Sequence, residues 1–229
     1  MDQSAHREPR RAADGTSDFT RWHLVRHAPV VGAGRGALGL LYKTHDDPAD
    51  VSDRPSYRWL ASWLPENAIL ITSGLKRTEA TADAFVAEGY RAAERHVDTR
   101  FEEQFYGGWH GADRDTLKDA RTASPHNFWF HSAAEQPPGG ESFAQVYARV
   151  SSALNDWSDR MAGRDIVLVG HGGTFRACLA HAMGLDLERA LTISVDNLSV
   201  TRIDRRTSVA SEGIKGGDWR TVYVNRRPG

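Results

Sequence analysis

IVLVGHGGT, residues 166–174, is a run of four branched apolar residues, then a glycine, a histidine, two more glycines and a threonine. Four apolar residues with no polar residue between them describe a strand buried on both faces. The turn after it sets His171 at the strand's carboxyl end. A helical pattern follows over 174–183 and stops at Gly184, so the turn faces a helix amino end whose first N–H groups have no intrahelical partner. The same rhythm of apolar run, polar or glycine-containing turn and helical pattern recurs at 22–25 and 68–71. Repeated strand, turn and helix predict an α/β fold of three layers, α/β/α, with a mostly parallel central sheet.

Other segments fill in that frame. Ser142 caps a helix that places Phe143, Val146, Tyr147, Val150, Leu154, Trp157 and Met161 on one face and ends at Gly163, a stripe that reads as core packing. A second helix is expected over 76–86, and two strands over 198–203 and 219–225, joined by a polar loop at 208–217. Between about 100 and 140 the pattern breaks into glycines, aromatics, histidines and prolines, the composition of a lid or site wall over a rigid scaffold. The length of 229 residues suits one domain over 21–229. Residues 1–20 are polar and charged, and are expected to form a disordered lead-in.

Composition narrows the function. Lys plus Arg is 29 and Asp plus Glu is 30, so a net charge of -1 supplies no field for nucleic acid or an anionic membrane. Any anion site is therefore local. The single cysteine, Cys178, excludes a disulfide framework and a cysteine-rich zinc site, fits a cytoplasmic setting and reads as a small helix residue. No apolar run reaches the length of a membrane span, and no apolar segment follows the amino-terminal arginines.

In open parallel sheets the ligand crevice lies beyond the carboxyl ends of the strands. HLVRHAPV delivers Arg26 and His27 there, IVLVGHGGT delivers His171, and TSGLKRTEATA puts Arg77 in the first turn of a helix directly after a strand. A helix amino end slightly disfavours a cation, so an arginine kept there points to an anionic partner. Two histidines, two arginines and a helix amino end make a site for a dianion, of which phosphate is the commonest small example. A proton donor is then required, and FEEQFYGGWHG supplies Glu102 or Glu103 on a glycine-rich loop. Taken singly, each of these residues is better read as structure: strand-end histidines bond carbonyls, Arg77 pairs with Glu79, Glu103 caps a turn. Lys43, His45, Asp46, Arg114, Lys118, Arg121, His126 and His131 read as solvated loop residues. Phe105, Tyr106, Trp109, Phe128 and Trp129 suit a substrate wall and loop packing equally. No metal-ligand spacing emerges from the ten histidines.

Over about 22–225 the chain resembles the phosphoglycerate-mutase-like branch of the histidine phosphatase superfamily, with four motifs in the family's order. R-H-G appears as Arg26-His27-Ala28, S-x-L-x-R-x-x-x-T-A as Ser73 to Ala82, E-x-x-x-G-x-W-E-G as Glu103 to Gly111, and S-H-G-G as Gly170 to Gly173. P-x-G-G-E-S appears as Pro137 to Ser142. The resemblance implies a phosphoglycerate mutase-like fold, His27 as nucleophile and Glu103 as general acid. It also implies a phosphate pocket of Arg26, Arg77, His171 and the Gly172 backbone. Ala28 replaces the family glycine and His110 the glutamate of W-E-G.

The implied reaction is hydrolysis of a small phosphorylated metabolite through a phosphohistidine, with no cofactor, no metal and no nucleic-acid or membrane partner. A homodimer is compatible with it. Attack needs a neutral imidazole and a protonated carboxyl, the reverse of their reference pKa values of about 6.5 and about 4.3. Arg26 and Arg77 are expected to lower the pKa of His27, giving an acidic to neutral optimum. Two alternatives stand beside hydrolysis. One is a phosphoglycerate-type mutase, disfavoured because Ala28-Pro29-Val30-Val31-Gly32 lacks the asparagine and serine such enzymes usually carry after R-H-G. The other is a non-catalytic phosphate-binding or protein-interaction module, against which the intact set of reacting residues speaks.

Overall fold

The computed structural model describes residues 17–31, 45–112, 117, 126–208 and 215–227. Among these, the strands are β1 (Phe19–Arg26), β2 (Ile69–Thr72), β3 (Glu94–Val97), β4 (Asp165–Gly170), β5 (Val200–Arg206) and β6 (Trp219–Arg226). They form one sheet in the order β3-β2-β4-β1-β5-β6. The β3–β2, β2–β4 and β4–β1 pairs are parallel, and β5 alone runs against its neighbours β1 and β6. The mostly parallel α/β arrangement is as expected.

Both faces of the central strands are covered. β4 is buried at every residue. Its Ile166 and Leu168 face a core with Trp22, Leu24, Phe143, Val150, Trp157 and Phe175, under helices α3 (Phe143–Arg160) and α4 (Gly172–Met183). Its Val167 and Val169 face a second core with Val25, Tyr57, Leu60, Leu70 and Phe85, under α1 (Arg54–Trp63) and α2 (Lys76–Ala87). The two-residue period of a strand sends alternate side chains to opposite layers, which is why this segment carries no polar residue at all.

The Ser142 cap forms a capping box: its side chain accepts from Gln145 N while the Gln145 side chain accepts from Ser142 N. α4 stops at Gly184, whose φ of 62° is the left-handed end a glycine accommodates freely. Cys178 is buried in that helix. A short helix, α5 (Leu187–Ala190), follows.

One expectation needs correction. β1 begins at Phe19, inside the stretch expected to be a lead-in, because Phe19 and Thr20 pair with Arg206 and Arg205 of β5. Thr20 is also buried, and its hydroxyl accepts from Gly163 N at 3.1 Å. Residues 1–16 lie outside the described residues, as do 113–116 and 118–125 of the 100–140 insert. Helix α1 was not anticipated, although Asp53 caps it through Ser56 N and a proline stands in its first turn. No helix among the described residues is long and apolar enough to cross a membrane.

Candidate active site

Strand register brings the two histidines together. Arg26 pairs with Gly170 across β1 and β4, and His27 and His171 are the next residues on each strand. Neighbouring strands lie about 4.8 Å apart, and the two imidazole centroids lie 5.1 Å apart. Thr72 of β2 pairs with Val169, so Ser73 emerges beside them and its Oγ lies 2.8 Å from His171 Nε2.

His27 is fully buried, and its Nδ1 donates to the Ala28 carbonyl at 2.6 Å. A carbonyl only accepts, so the proton of the neutral ring is on Nδ1 and the lone pair on Nε2. Burial holds its pKa well below the ordinary histidine value, and the Arg77 and Arg26 cations lower it further. The expected direction holds, but desolvation outweighs the arginines. Ala28 is itself buried and is not among the residues at positive φ, so the turn does not need the family's glycine.

Arg77 is also fully buried. It turns away from Glu79, which instead pairs with Arg95. Arg77 Nε donates to His171 Nδ1 at 3.2 Å and its Nη1 to the His45 carbonyl at 2.6 Å. An arginine cannot accept, so His171 Nδ1 holds a lone pair and Nε2–H donates to Ser73. Ser73 passes the chain to Thr78 Oγ1 at 3.0 Å, which donates to the Leu75 carbonyl at 2.7 Å. This chain fits only a neutral His171, whose pKa burial, Arg77 and His27 all hold well below its usual value.

Glu103, rather than Glu102, enters the cluster. Its carboxylate accepts from Gly173 N and from Gln104 N at 3.0 Å, whereas Glu102 turns to His45 Nε2 at 3.3 Å. The loop is tied down from both covering helices. Arg149 of α3 donates to the carbonyls of Arg100 and Glu102 at 2.8 Å each, and the Thr174 hydroxyl of α4 reaches the Glu102 carbonyl at 3.0 Å. Phe101 beneath it packs edge-on against Trp22, ring centroids 5.9 Å apart.

Arg26 donates through Nη1 to the Val195 carbonyl. A Cβ built on Gly172 would stand 3.5 Å from its guanidinium carbon and 3.3 Å from Nη1 of Arg176, so two cations flank that glycine. Neither the part-buried Arg26 nor the buried Arg176 has an ion pair among the described residues, and such unpaired cations suit an incoming anion. Arg176 lies 4.2 Å over the Trp129 ring, and its Nε donates to the Ile193 carbonyl at 2.8 Å. Burial pushes its pKa down to about 10, which still leaves it charged at neutral pH.

All six anticipated residues, Arg26, His27, Arg77, Glu103, His171 and Gly172, therefore meet at one sheet edge. Sequence reasoning missed Arg176, whose signal was its position one helical turn after Gly172. Ser73 and Thr78 sat inside a recognised motif without an assigned role; Arg149 left no local signal. Of the loop residues read as solvated, Lys43, Arg114, Lys118 and Arg121 lie outside the described residues. His131 is buried among aromatics, accepting from Trp129 Nε1. His45 packs edge-on against Phe105, centroids 5.2 Å apart.

The sequence profile of the histidine phosphatase superfamily (branch 1) matches residues 22–211. A glucosyl-3-phosphoglycerate phosphatase of Mycolicibacterium vanbaalenii is 31% identical over 128 residues, 52% of this chain and 55% of that protein, so the match spans about half of that relative. A 2,3-bisphosphoglycerate-dependent phosphoglycerate mutase of Methylorubrum extorquens is 26% identical over 170 residues, 72% of this chain and 80% of that protein. Among solved structures, the alpha-ribazole phosphatase of Shigella flexneri superposes with a TM-score of 0.66 at 22% identity, covering 91% of this chain and 97% of that one. That last likeness is one of fold.

Proposed function

Because the chain belongs to the histidine phosphatase superfamily, we propose that it is a phosphomonoesterase acting on a small phosphorylated metabolite, with His27 as nucleophile and Glu103 as general acid and base. The observation that carries this reading is the state of His27: buried, neutral, and with its proton held on Nδ1 by the Ala28 carbonyl.

The Nε2 lone pair attacks phosphorus in line, forming an N–P bond as the ester P–O bond breaks. Protonated Glu103 gives its proton to the leaving oxygen, releasing the alcohol. Ionised Glu103 then takes a proton from water, whose oxygen attacks the phosphohistidine and releases inorganic phosphate. Arg26, Arg77 and the Gly172 amide neutralise the phosphoryl oxygens throughout, and His171 serves the pocket by holding Arg77 Nε. No metal takes part in these steps. We place the reaction in the cytoplasm on the ground of the single cysteine, Cys178.

The test is hydrolysis of p-nitrophenyl phosphate by the wild type and by His27→Ala, with and without chelator, alongside acid-quench trapping of labelled phosphohistidine. Activity is expected to survive chelation and to vanish with the substitution; full activity in His27→Ala sinks the assignment. The mutase relative supports a second reading, in which the phosphoryl group returns to a different hydroxyl of the same substrate. Phosphoglycerate isomerisation faster than phosphate release would establish that alternative.

A further inference from the structure

We propose that Asn197 and Thr81 are positioning residues that fix the ring tautomer of His27 by pinning the peptide unit between His27 and Ala28; the inference rests on His27 being the nucleophile. Asn197 Nδ2 donates to the His27 carbonyl at 2.7 Å. Ala28 N donates to Thr81 Oγ1 at 2.9 Å. The two backbone atoms belong to one planar unit, so anchoring both resists rotation about the His27 Cα–C bond, which would carry that plane and Ala28 with it. The following carbonyl, Ala28 O, is the acceptor for His27 Nδ1–H. Rotation about that bond would swing Ala28 and its carbonyl away from the ring, and the proton would then be free to settle on Nε2, where it removes the attacking lone pair.

Each pin is itself oriented. The Thr81 hydroxyl spends its single proton on the Arg77 carbonyl at 2.6 Å, which turns a lone pair toward Ala28 N. One hydroxyl on α2 thus joins the nucleophile's peptide to the helical turn that carries Arg77. Asn197 projects from a turn in which Leu198 has a φ of 58°, an unfavourable conformation for a residue with a branched side chain. That turn is held by Leu198 N donating to the Arg26 carbonyl at 2.9 Å and by Asp196 N donating to Asn225 Oδ1 at 2.6 Å. Strain of this kind persists where surrounding bonds over-determine the backbone. Both side chains are uncharged, so removing either leaves the charge of the phosphate pocket unaltered.

The experiment is ¹⁵N NMR of the imidazole nitrogens, with steady-state kinetics on p-nitrophenyl phosphate, for the wild type, Thr81→Val, Thr81→Ser, Asn197→Ala and His27→Ala. The wild type and Thr81→Ser should show His27 protonated at Nδ1. Thr81→Val and Asn197→Ala should show a mixture of tautomers, with kcat reduced about 10- to 100-fold and KM within about twofold. Wild-type ring signals and kcat in both of these variants overturn the inference. Should Thr81→Val fail to fold, Asn197→Ala decides alone on the same two readouts, since Asn197 is only half-buried. An active His27→Ala removes the nucleophile assignment itself. An inactive one beside wild-type-like pin variants removes only the proposal made for Asn197 and Thr81.

Discussion

Both oxygens of Glu103 accept the backbone N–H of Gly173, at 3.1 and 3.2 Å, at the amino end of the helix that begins after His171. Only glycine permits this contact, because a Cβ at position 173 would stand 2.3 Å from Glu103 Oε1. The position of the carboxyl is therefore set by residue 173 as well as by residue 103.

Glu103→Gln and Gly173→Ala should accordingly share a signature. A general acid matters most when the leaving oxygen is basic, so kcat on an alkyl phosphate should fall about 10²- to 10⁴-fold in Glu103→Gln, and much less on p-nitrophenyl phosphate. Gly173→Ala should reproduce the same selectivity at about tenfold, since it shifts the carboxyl without removing it. Equal losses on the two substrates in either variant would exclude Glu103 as the acid.

The lowered pKa of His27 makes two pH predictions. In catalysis, the neutral ring persists well below the usual histidine range, so the acid limb of kcat/KM that reports His27 should fall well below about pH 6.5. In stability the sign is fixed by proton binding. As pH falls through about 6.5 the unfolded chain protonates this histidine and the folded chain does not, so stability is lost with acidification. His171 acts in the same direction. Tm should fall between about pH 7.5 and about pH 5, and the slope should flatten in His27→Gln. A Tm that rises over that interval would contradict the buried neutral pair.

Arg176 stands beside Arg26 without an ion pair among the described residues, stacked on Trp129. Its replacement by glutamine should weaken inhibition by inorganic phosphate about 10- to 100-fold, the scale of one hydrogen bond to a charged group. Arg176→Lys should recover only part of this, because an ammonium neither stacks as a plane nor donates as a fork. Unchanged phosphate inhibition in both variants would place Arg176 outside the anion site.

The site was legible to very different degrees from residue to residue. Arg26, His27 and His171 stand directly after apolar runs, and a parallel sheet must gather such strand ends at one edge. Arg77 was legible as a cation in the wrong place for its own helix. The choice of Glu103 over Glu102 was legible only through the motif's spacing to Gly107 and Trp109, since both glutamates stand on the same loop. It is made by Arg149 and Thr174, which grip the carbonyls around them from helices that begin about 40 and 70 residues later. Asn197 left no trace because its partner is a backbone carbonyl, and every residue has one.

The sequence by itself determined the layers. Uninterrupted apolar runs at strand length must be buried on both faces, and the helical stripes between them supply the cover. Only the tertiary structure decided which strands are neighbours and in what register, and with that the 5.1 Å between the rings of His27 and His171. It also decided the protonation of both rings. A tautomer depends on whether a donor or an acceptor waits at each nitrogen, and those partners come from segments far away in the chain: Arg77 and Ser73 for His171, and for His27 a carbonyl held in place from positions 81 and 197.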